Sequence, residues 1–134
     1  MPLSDKQLIQ KARAAKTHAY APYSQFTVGA ALLTEEGKVF TGCNVENSTF
    51  GATVCAERTA VFSAVCHGSR RFEKIAIVTD KEEPAMPCGI CRSVLFEFAP
   101  DLEVIAVGSS GVTEKTTLSE LYPKGFRLEV KDEE

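Results

Sequence analysis

Lys74-Ile75-Ala76-Ile77-Val78-Thr79 is a short, nearly continuous apolar run, and the layering of the fold follows from it. A strand with one wet face alternates apolar and polar residues, whereas a run without alternation belongs to a strand covered on both faces. Leu102-Glu103-Val104-Ile105-Ala106-Val107 has the same character. Between them, residues 88–98 place Val94, Leu95 and Phe98 on one helical face before Pro100, so the segment reads strand, helix, strand. Just upstream, residues 55–67 carry Ala60, Val61, Ala64 and Val65 at helical spacing, and Gly68 ends that helix.

The flanks complete the pattern. Ser4-Asp5-Lys6-Gln7 is a Ser-x-x-Gln capping box that opens a helix with Leu8, Ala12, Ala15 and Ala19 on one face, stopping at Pro22. Residues 26–33 and 38–43 read as a hairpin around Thr34-Glu35-Glu36-Gly37, and the polar, glycine-bearing stretch 44–54 reads as a loop. A loop with Pro84 and Pro87 precedes the third helix. Gly108-Ser109-Ser110-Gly111 makes a turn, a weak strand follows over 112–116, and Thr117-Leu118-Ser119-Glu120 is a second capping box. The acidic tail from Lys131 is expected to be loose. This order predicts an α/β fold, a three-layer α/β/α arrangement with a mixed sheet of about five strands. With no repeat and no linker, residues 1–134 are expected to form one domain.

Composition narrows the function. With 134 residues, 44% of them apolar, folding buries roughly two-thirds of the chain's surface, enough for a core without disulfides. Fifteen basic and 18 acidic residues give a net charge of −3, and the basic residues are scattered apart from Arg70-Arg71. That distribution lacks the basic stripe that a polynucleotide backbone needs. No apolar run approaches bilayer length, and Met1-Pro2-Leu3-Ser4-Asp5 is unlike a signal peptide, so a cytoplasmic location is expected.

Five cysteines, an odd number, argue against a disulfide framework. Cys55-Ala56-Glu57-Arg58 and Pro87-Cys88-Gly89-Ile90-Cys91-Arg92 each lie where a loop enters a helix, with one strand between. Parallel neighbours place such helix starts at one sheet edge, so Cys55, Cys88 and Cys91 can meet. Helix N-termini favour thiolates, and three soft thiolates in tetrahedral reach select Zn²⁺. Three protein ligands leave one position open, the mark of a catalytic zinc. A redox role for the Cys-x-x-Cys pair fits poorly with a third cysteine upstream. Cys66 and His67 lie about three helical turns from Cys55, roughly 16 Å, too far to share its metal. Cys43 stays open as a fourth ligand, although a lone cysteine at a strand end is usually a small buried hydrophobe. Glu57, two residues after Cys55, can reach a metal-bound water and move protons, and the Arg58 guanidinium offsets the excess negative charge of a trithiolate zinc.

At these residues the chain resembles the zinc-dependent cytidine deaminases, specifically the short, all-cysteine, tetrameric type. Residues 21–32 and 42–47 are similar to that family's substrate-binding segments, and Leu121-Tyr122-Pro123-Lys124-Gly125-Phe126 to its C-terminal stretch. The resemblance implies Cys55, Cys88 and Cys91 as zinc ligands and Glu57 as proton shuttle, with Arg58 supporting the metal. It implies Phe26 against the pyrimidine, Asn44 and Glu46 on the sugar 3′-hydroxyl, and Ala56 among the substrate contacts. Phe126 would stack on the base in a neighbouring protomer of a homotetramer. The implied reaction is hydrolysis at C4 of cytidine and 2′-deoxycytidine, releasing ammonia and leaving uridine or 2′-deoxyuridine, in pyrimidine salvage. Ser93 stands where the family usually has Gln, and Phe50 where Tyr is common.

Each residue also has a plainer reading. Alone, Glu57 is a first-turn acid on a helix dipole, Phe26 and Phe126 are core residues, and Asn44 and Glu46 are loop side chains capping backbone groups. His18 and His67 read as structural or exposed. The rival functions are a deaminase of the same fold acting on an antibiotic nucleoside or a nucleic-acid base, and a structural zinc module that serves protein interaction.

Overall fold

The structure, a computed structural model, describes residues 3–130; Met1-Pro2 and the tail from Lys131 lie outside the described residues. Its elements are α1 (Asp5–Lys16), β1 (Val28–Thr34), β2 (Val39–Cys43), α2 (Ala56–Cys66), β3 (Phe72–Thr79), α3 (Gly89–Phe98), β4 (Glu103–Val107), β5 (Thr113–Thr117) and α4 (Leu118–Leu121). A single 3₁₀ turn, Phe50–Ala52, interrupts the long loop after β2. The strands form one sheet in the order β2-β1-β3-β4-β5, with β3 and β4 parallel and the other pairs antiparallel. The mixed five-stranded sheet expected from the sequence is therefore present. Among the described residues, no helix is long and apolar enough to cross a membrane.

Both faces of the sheet are covered, as the run at 74–79 requires. Ile75 and Ile77 pack with Ala60, Val61, Ala64 and Leu95 of α2 and α3, while Ala76 and Val78 pack with Leu8 and Ala12 of α1. The period of two along β3 thus divides one apolar strand between two cores.

The start of α1 is fixed by the capping box: Gln7 N–H donates to Ser4 Oγ at 3.2 Å, and Ser4 N–H to Gln7 Oε1 at 2.9 Å. Asp5 then accepts from Lys74 Nζ (2.6 Å) and Lys115 Nζ (2.9 Å), tying this helix to the sheet. Leu8, Ala12 and Ala15 are buried as expected, but the helix ends at Lys16 and Ala19 lies beyond it. The chain leaves because Tyr20 and Val45 form a parallel bridge, with Tyr20 N–H donating to the Asn44 carbonyl at 3.0 Å. The second capping box is only half made. Thr117 Oγ1 accepts from Glu120 N–H at 3.4 Å, while the Glu120 carboxylate takes a hydrogen bond from Thr116 Oγ1 at 2.6 Å instead of returning to the cap.

Two glycines set how closely the layers approach. A Cβ on Gly29 would stand 2.0 Å from the Ala12 carbonyl oxygen of α1, and one on Gly42 would stand 2.5 Å from the Ala56 carbonyl oxygen and the Ala60 nitrogen of α2. No side chain fits either contact, so α2 can rest on β2 at this depth only over a glycine.

Candidate active site

Because β1 is antiparallel to both β2 and β3, the latter two point the same way. The connection that leaves β2 leads to α2, and the one that leaves β3 leads to α3, so both helices start at one sheet edge. Cys55 is the N-cap of α2 and Cys88 the N-cap of α3, while Cys91 stands in the first turn of α3. Neither N-cap thiol bonds an amide of its own helix. Those amides and the helix dipoles therefore direct positive potential at the sulfurs.

The three Sγ atoms lie within 4.8 Å of one another, with Cys55 and Cys88 at 3.9 Å. Tetrahedral zinc with bonds of about 2.3 Å to sulfur needs its sulfurs about 3.8 Å apart, so the donor set fits that ion. The Cys55 thiol is pushed down to about 5 by hydrogen bonding from Cys91 and by Arg58, whose Nη2 donates to its sulfur at 3.4 Å. Cys91, fully buried and donating to Cys55, is held protonated. As three thiolates the cluster would carry three negative charges beside one guanidinium, an excess that a divalent cation offsets.

Cys43, left open by the sequence, is not one of this group. Burial pushes its thiol up, and its carbonyl accepts from Thr59 Oγ1 at 2.7 Å. His67 is turned to the far end of α2, its Nδ1 on the Ser63 carbonyl at 2.8 Å and its ring against Phe40.

Glu57, in the first turn of α2, is 5% exposed. Burial pushes its carboxyl up to about 7; the neighbouring Cys55 thiolate adds to the rise, and its own backbone amide and Arg58 oppose it. Such a group gains and loses protons near neutrality, as a proton carrier must. It lines a cavity of about 210 Å³ together with Phe26, Asn44, Glu46, Cys55, Ala56 and Cys88. These sequence-predicted residues, drawn from four chain segments, converge on one hollow.

Asn44 and Glu46 combine the two readings the sequence allows. Asn44 Oδ1 accepts from Val28 N–H (2.9 Å) and its Nδ2 donates to the Phe26 carbonyl (2.8 Å), holding the strand entry that carries Phe26. Glu46 accepts from the N–H groups of Tyr23 (2.9 Å) and Ser24 (3.1 Å) and from the Ser24 hydroxyl. An amide side chain has four hydrogen-bonding positions and a carboxylate about four, so Asn44 retains two and Glu46 about one for a ligand. Phe126 stands apart from this cavity, 69% exposed. Phe50 is equally exposed, its ring edge-on to Tyr23 at 5.5 Å beside an adjoining hollow of about 320 Å³. Ser93 is exposed on α3, turned away from the buried side of that helix.

Several supporting residues escape sequence reasoning. Arg92 donates from Nε to the Pro87 carbonyl (2.6 Å) and from Nη1 to the Leu121 carbonyl (2.8 Å), fastening the Cys88 loop to α4. Thr59 bonds the Cys55 and Cys43 carbonyls; its place one helical turn after Cys55 is a signal that could have found it. Asp80, just past the end of β3, joins Lys16 Nζ (2.6 Å) and Thr27 N–H (2.9 Å), and these partners hold its carboxyl down at about 2.

Three thiols at two helix starts, with a buried carboxyl beside them on a small cavity, define the class of three-cysteine zinc sites that keep an acid within reach of the metal. Residues 2–109 match the family model described as the cytidine and deoxycytidylate deaminase zinc-binding region. The chain is 46% identical over 125 residues to the cytidine deaminase of Sporosarcina psychrophila, covering 92% of each chain. It is also 46% identical to that of Halalkalibacterium halodurans, over 93% of this chain and 96% of the other. Among solved structures, the cytidine deaminase of Burkholderia pseudomallei superposes with a TM-score of 0.89 at 48% identity, covering 92% of this chain and 99% of that one. The chain belongs to the cytidine and deoxycytidylate deaminase family.

Proposed function

We propose that this protein hydrolytically deaminates cytidine and 2′-deoxycytidine to uridine and 2′-deoxyuridine with release of ammonia. The observation that carries the reading is the buried Glu57 carboxyl two residues from Cys55, on the wall of the cavity into which the three-thiol cluster opens. A purely structural zinc would have no use for a desolvated acid there.

In this reading Cys55, Cys88 and Cys91 hold zinc. Zinc in such a site supplies Lewis acidity that brings the ionisation of water toward neutral pH. Arg58 offsets the excess negative charge of three thiolates. Glu57 takes a proton from the attacking water, delivers it to N3 of the cytosine, and then carries a second to the departing amino group. Phe26 lies on the pyrimidine, Ala56 borders it, and the free positions of Asn44 and Glu46 hydrogen-bond the sugar. The reaction needs no covalent enzyme intermediate, so orientation in a small dry cavity supplies much of the rate.

The cavity of about 210 Å³ falls below the ~300–1,000 Å³ usual for a complete small-molecule site. We read it as one protomer's share of a composite site in a homotetramer, with the exposed Phe126 completing a neighbour's. The exposure of Phe50, Ile90 and Leu128 supports an assembly that covers them. A single domain over residues 1–134 and a cytoplasmic location, in keeping with unpaired cysteines, complete the proposal.

The test is direct. Purified protein with cytidine should lose the ultraviolet band of the aminopyrimidine at one bound zinc per chain, and should sediment as a tetramer. Stoichiometric zinc without turnover of any cytosine nucleoside would favour the structural reading.

A further inference from the structure

Of the three clustered cysteines, Cys91 is fully buried and Cys55 is held by Arg58, whereas Cys88 is exposed and its thiol bonds no amide of α3. The stance of Cys88 is therefore set through its backbone, and one residue holds that backbone on both sides. The Arg92 amide donates to the Cys88 carbonyl at 2.9 Å, an ordinary helix bond, while Arg92 Nε donates to the Pro87 carbonyl at 2.6 Å. Both peptide groups that flank the Cys88 Cα thus bond to Arg92.

The same guanidinium reaches the other way. Its Nη1 donates to the Leu121 carbonyl at 2.8 Å, at the end of the four-residue helix α4, where that oxygen has no partner within the helix. Phe96, one helical turn after Arg92 on α3, meets the Tyr122 ring edge-on at 5.2 Å. Gly125 closes on this pair: a Cβ there would stand 2.4 Å from the Tyr122 ring and 2.8 Å from Phe96 Cζ. Lys124 makes the return with a left-handed φ of 56°. Residues 121–125 are thus seated against Arg92 and Phe96 of α3, and Phe126 leaves that seat 69% exposed.

We propose that Arg92 is a positioning residue with two ends, holding Cys88 toward its own protomer's metal and aiming Phe126 at the neighbouring protomer's site. The second end rests on the shared site proposed above. A planar guanidinium serves two carbonyls at once through donors in fixed relation, a geometry that a lysine ammonium does not reproduce.

Arg92→Met keeps most of the stem and removes the donors, and Arg92→Lys keeps the charge without the fork. In competition with a chromogenic chelator, both should hold zinc about 10-fold less tightly, the lower end for residues that orient a metal ligand. At saturating zinc the KM for cytidine should rise about 5-fold, the scale of one net hydrogen bond, with kcat within about 3-fold because Arg92 reaches no reacting atom. Mixed tetramers separate the two ends. Coexpressed Phe126→Ala and Glu57→Gln chains turn over substrate at sites whose Glu57 is intact, and those sites obtain Phe126 only from the Glu57→Gln chains. Adding Arg92→Met to the Glu57→Gln chains leaves every working metal loop unchanged, yet KM should rise by about the same 5-fold. Wild-type zinc affinity in both variants would overturn the proposal, as would equal KM in the two mixtures. Full recovery by lysine in both measurements would also overturn it, since charge alone would then suffice. If the methionine variant does not assemble, the lysine variant carries the same comparisons. A wild type inert towards cytidine would instead remove the proposed function, and chelator competition would still decide the Cys88 end.

Discussion

The helix starts of this molecule differ in kind. At α1, Ser4 and Gln7 satisfy each other's backbone amides in a complete capping box. At α2 and α3 the same N-cap positions are held by Cys55 and Cys88, which cap nothing. Serine, threonine, aspartate and asparagine are the residues that stabilise an N-cap, and replacing one by a non-capping residue costs ~0.5–2 kcal/mol. The chain accepts that cost twice at one sheet edge and avoids it at α1, where nothing but folding is at stake. A helix start that forgoes its cap in favour of sulfur is one committed to a ligand.

Breaking the contrast at its functional side should have the largest effect. Cys88→Ser supplies a good N-cap and removes a sulfur, so metal analysis should find zinc lost and turnover at background. With metal stripped from both proteins by chelation, the serine variant should melt no lower than the wild type, because its cap is the better one. A variant that retained stoichiometric zinc and activity would dissolve the contrast. Next in size, Glu57→Gln should keep zinc and lower kcat by about 10²–10⁴-fold, the range of a lost general acid–base group. Its stability should not fall, since a desolvated acid is replaced by a neutral amide.

Smaller effects test the scaffold that aims the two uncapped helices. Gly42→Ala drives a methyl into the Ala56 carbonyl and the Ala60 amide, and should destabilise by about 1–3 kcal/mol in denaturant titration while raising KM, as α2 shifts off β2. The mildest is Ser4→Ala, which undoes the capping box and should cost about 1 kcal/mol with kcat and KM unchanged. If it altered kinetics, the two kinds of helix start would not be separable.

Much of this arrangement is legible in the sequence because it is local or periodic. The capping box at Ser4, the unalternating run at Ile75 and the Cys-x-x-Cys at a helix entrance each carry their own signal within a few residues. The meeting of Cys55 with Cys88 and Cys91 needs only that β2 and β3 point the same way; the sequence suggests parallel neighbours, whereas β1 lies between the two and is antiparallel to both. What stays hidden depends on contacts between distant segments. Gly29 and Gly42 look like strand glycines until α1 and α2 are laid against them. Ala19 falls outside α1 because Tyr20 bridges to Val45, a pairing that no helical pattern reveals. Asn44 and Glu46 invite a choice between ligand and cap, and hydrogen-bond capacity allows both. Arg92 acts through the Pro87 and Leu121 carbonyls, whose positions relative to it exist only in the folded chain.

X-ray absorption spectroscopy of the zinc-loaded protein reaches the central claim most directly. The expected spectrum has three sulfur neighbours at about 2.3 Å and one oxygen or nitrogen. Four sulfurs, with Cys43 drawn in to close the site, would contradict it.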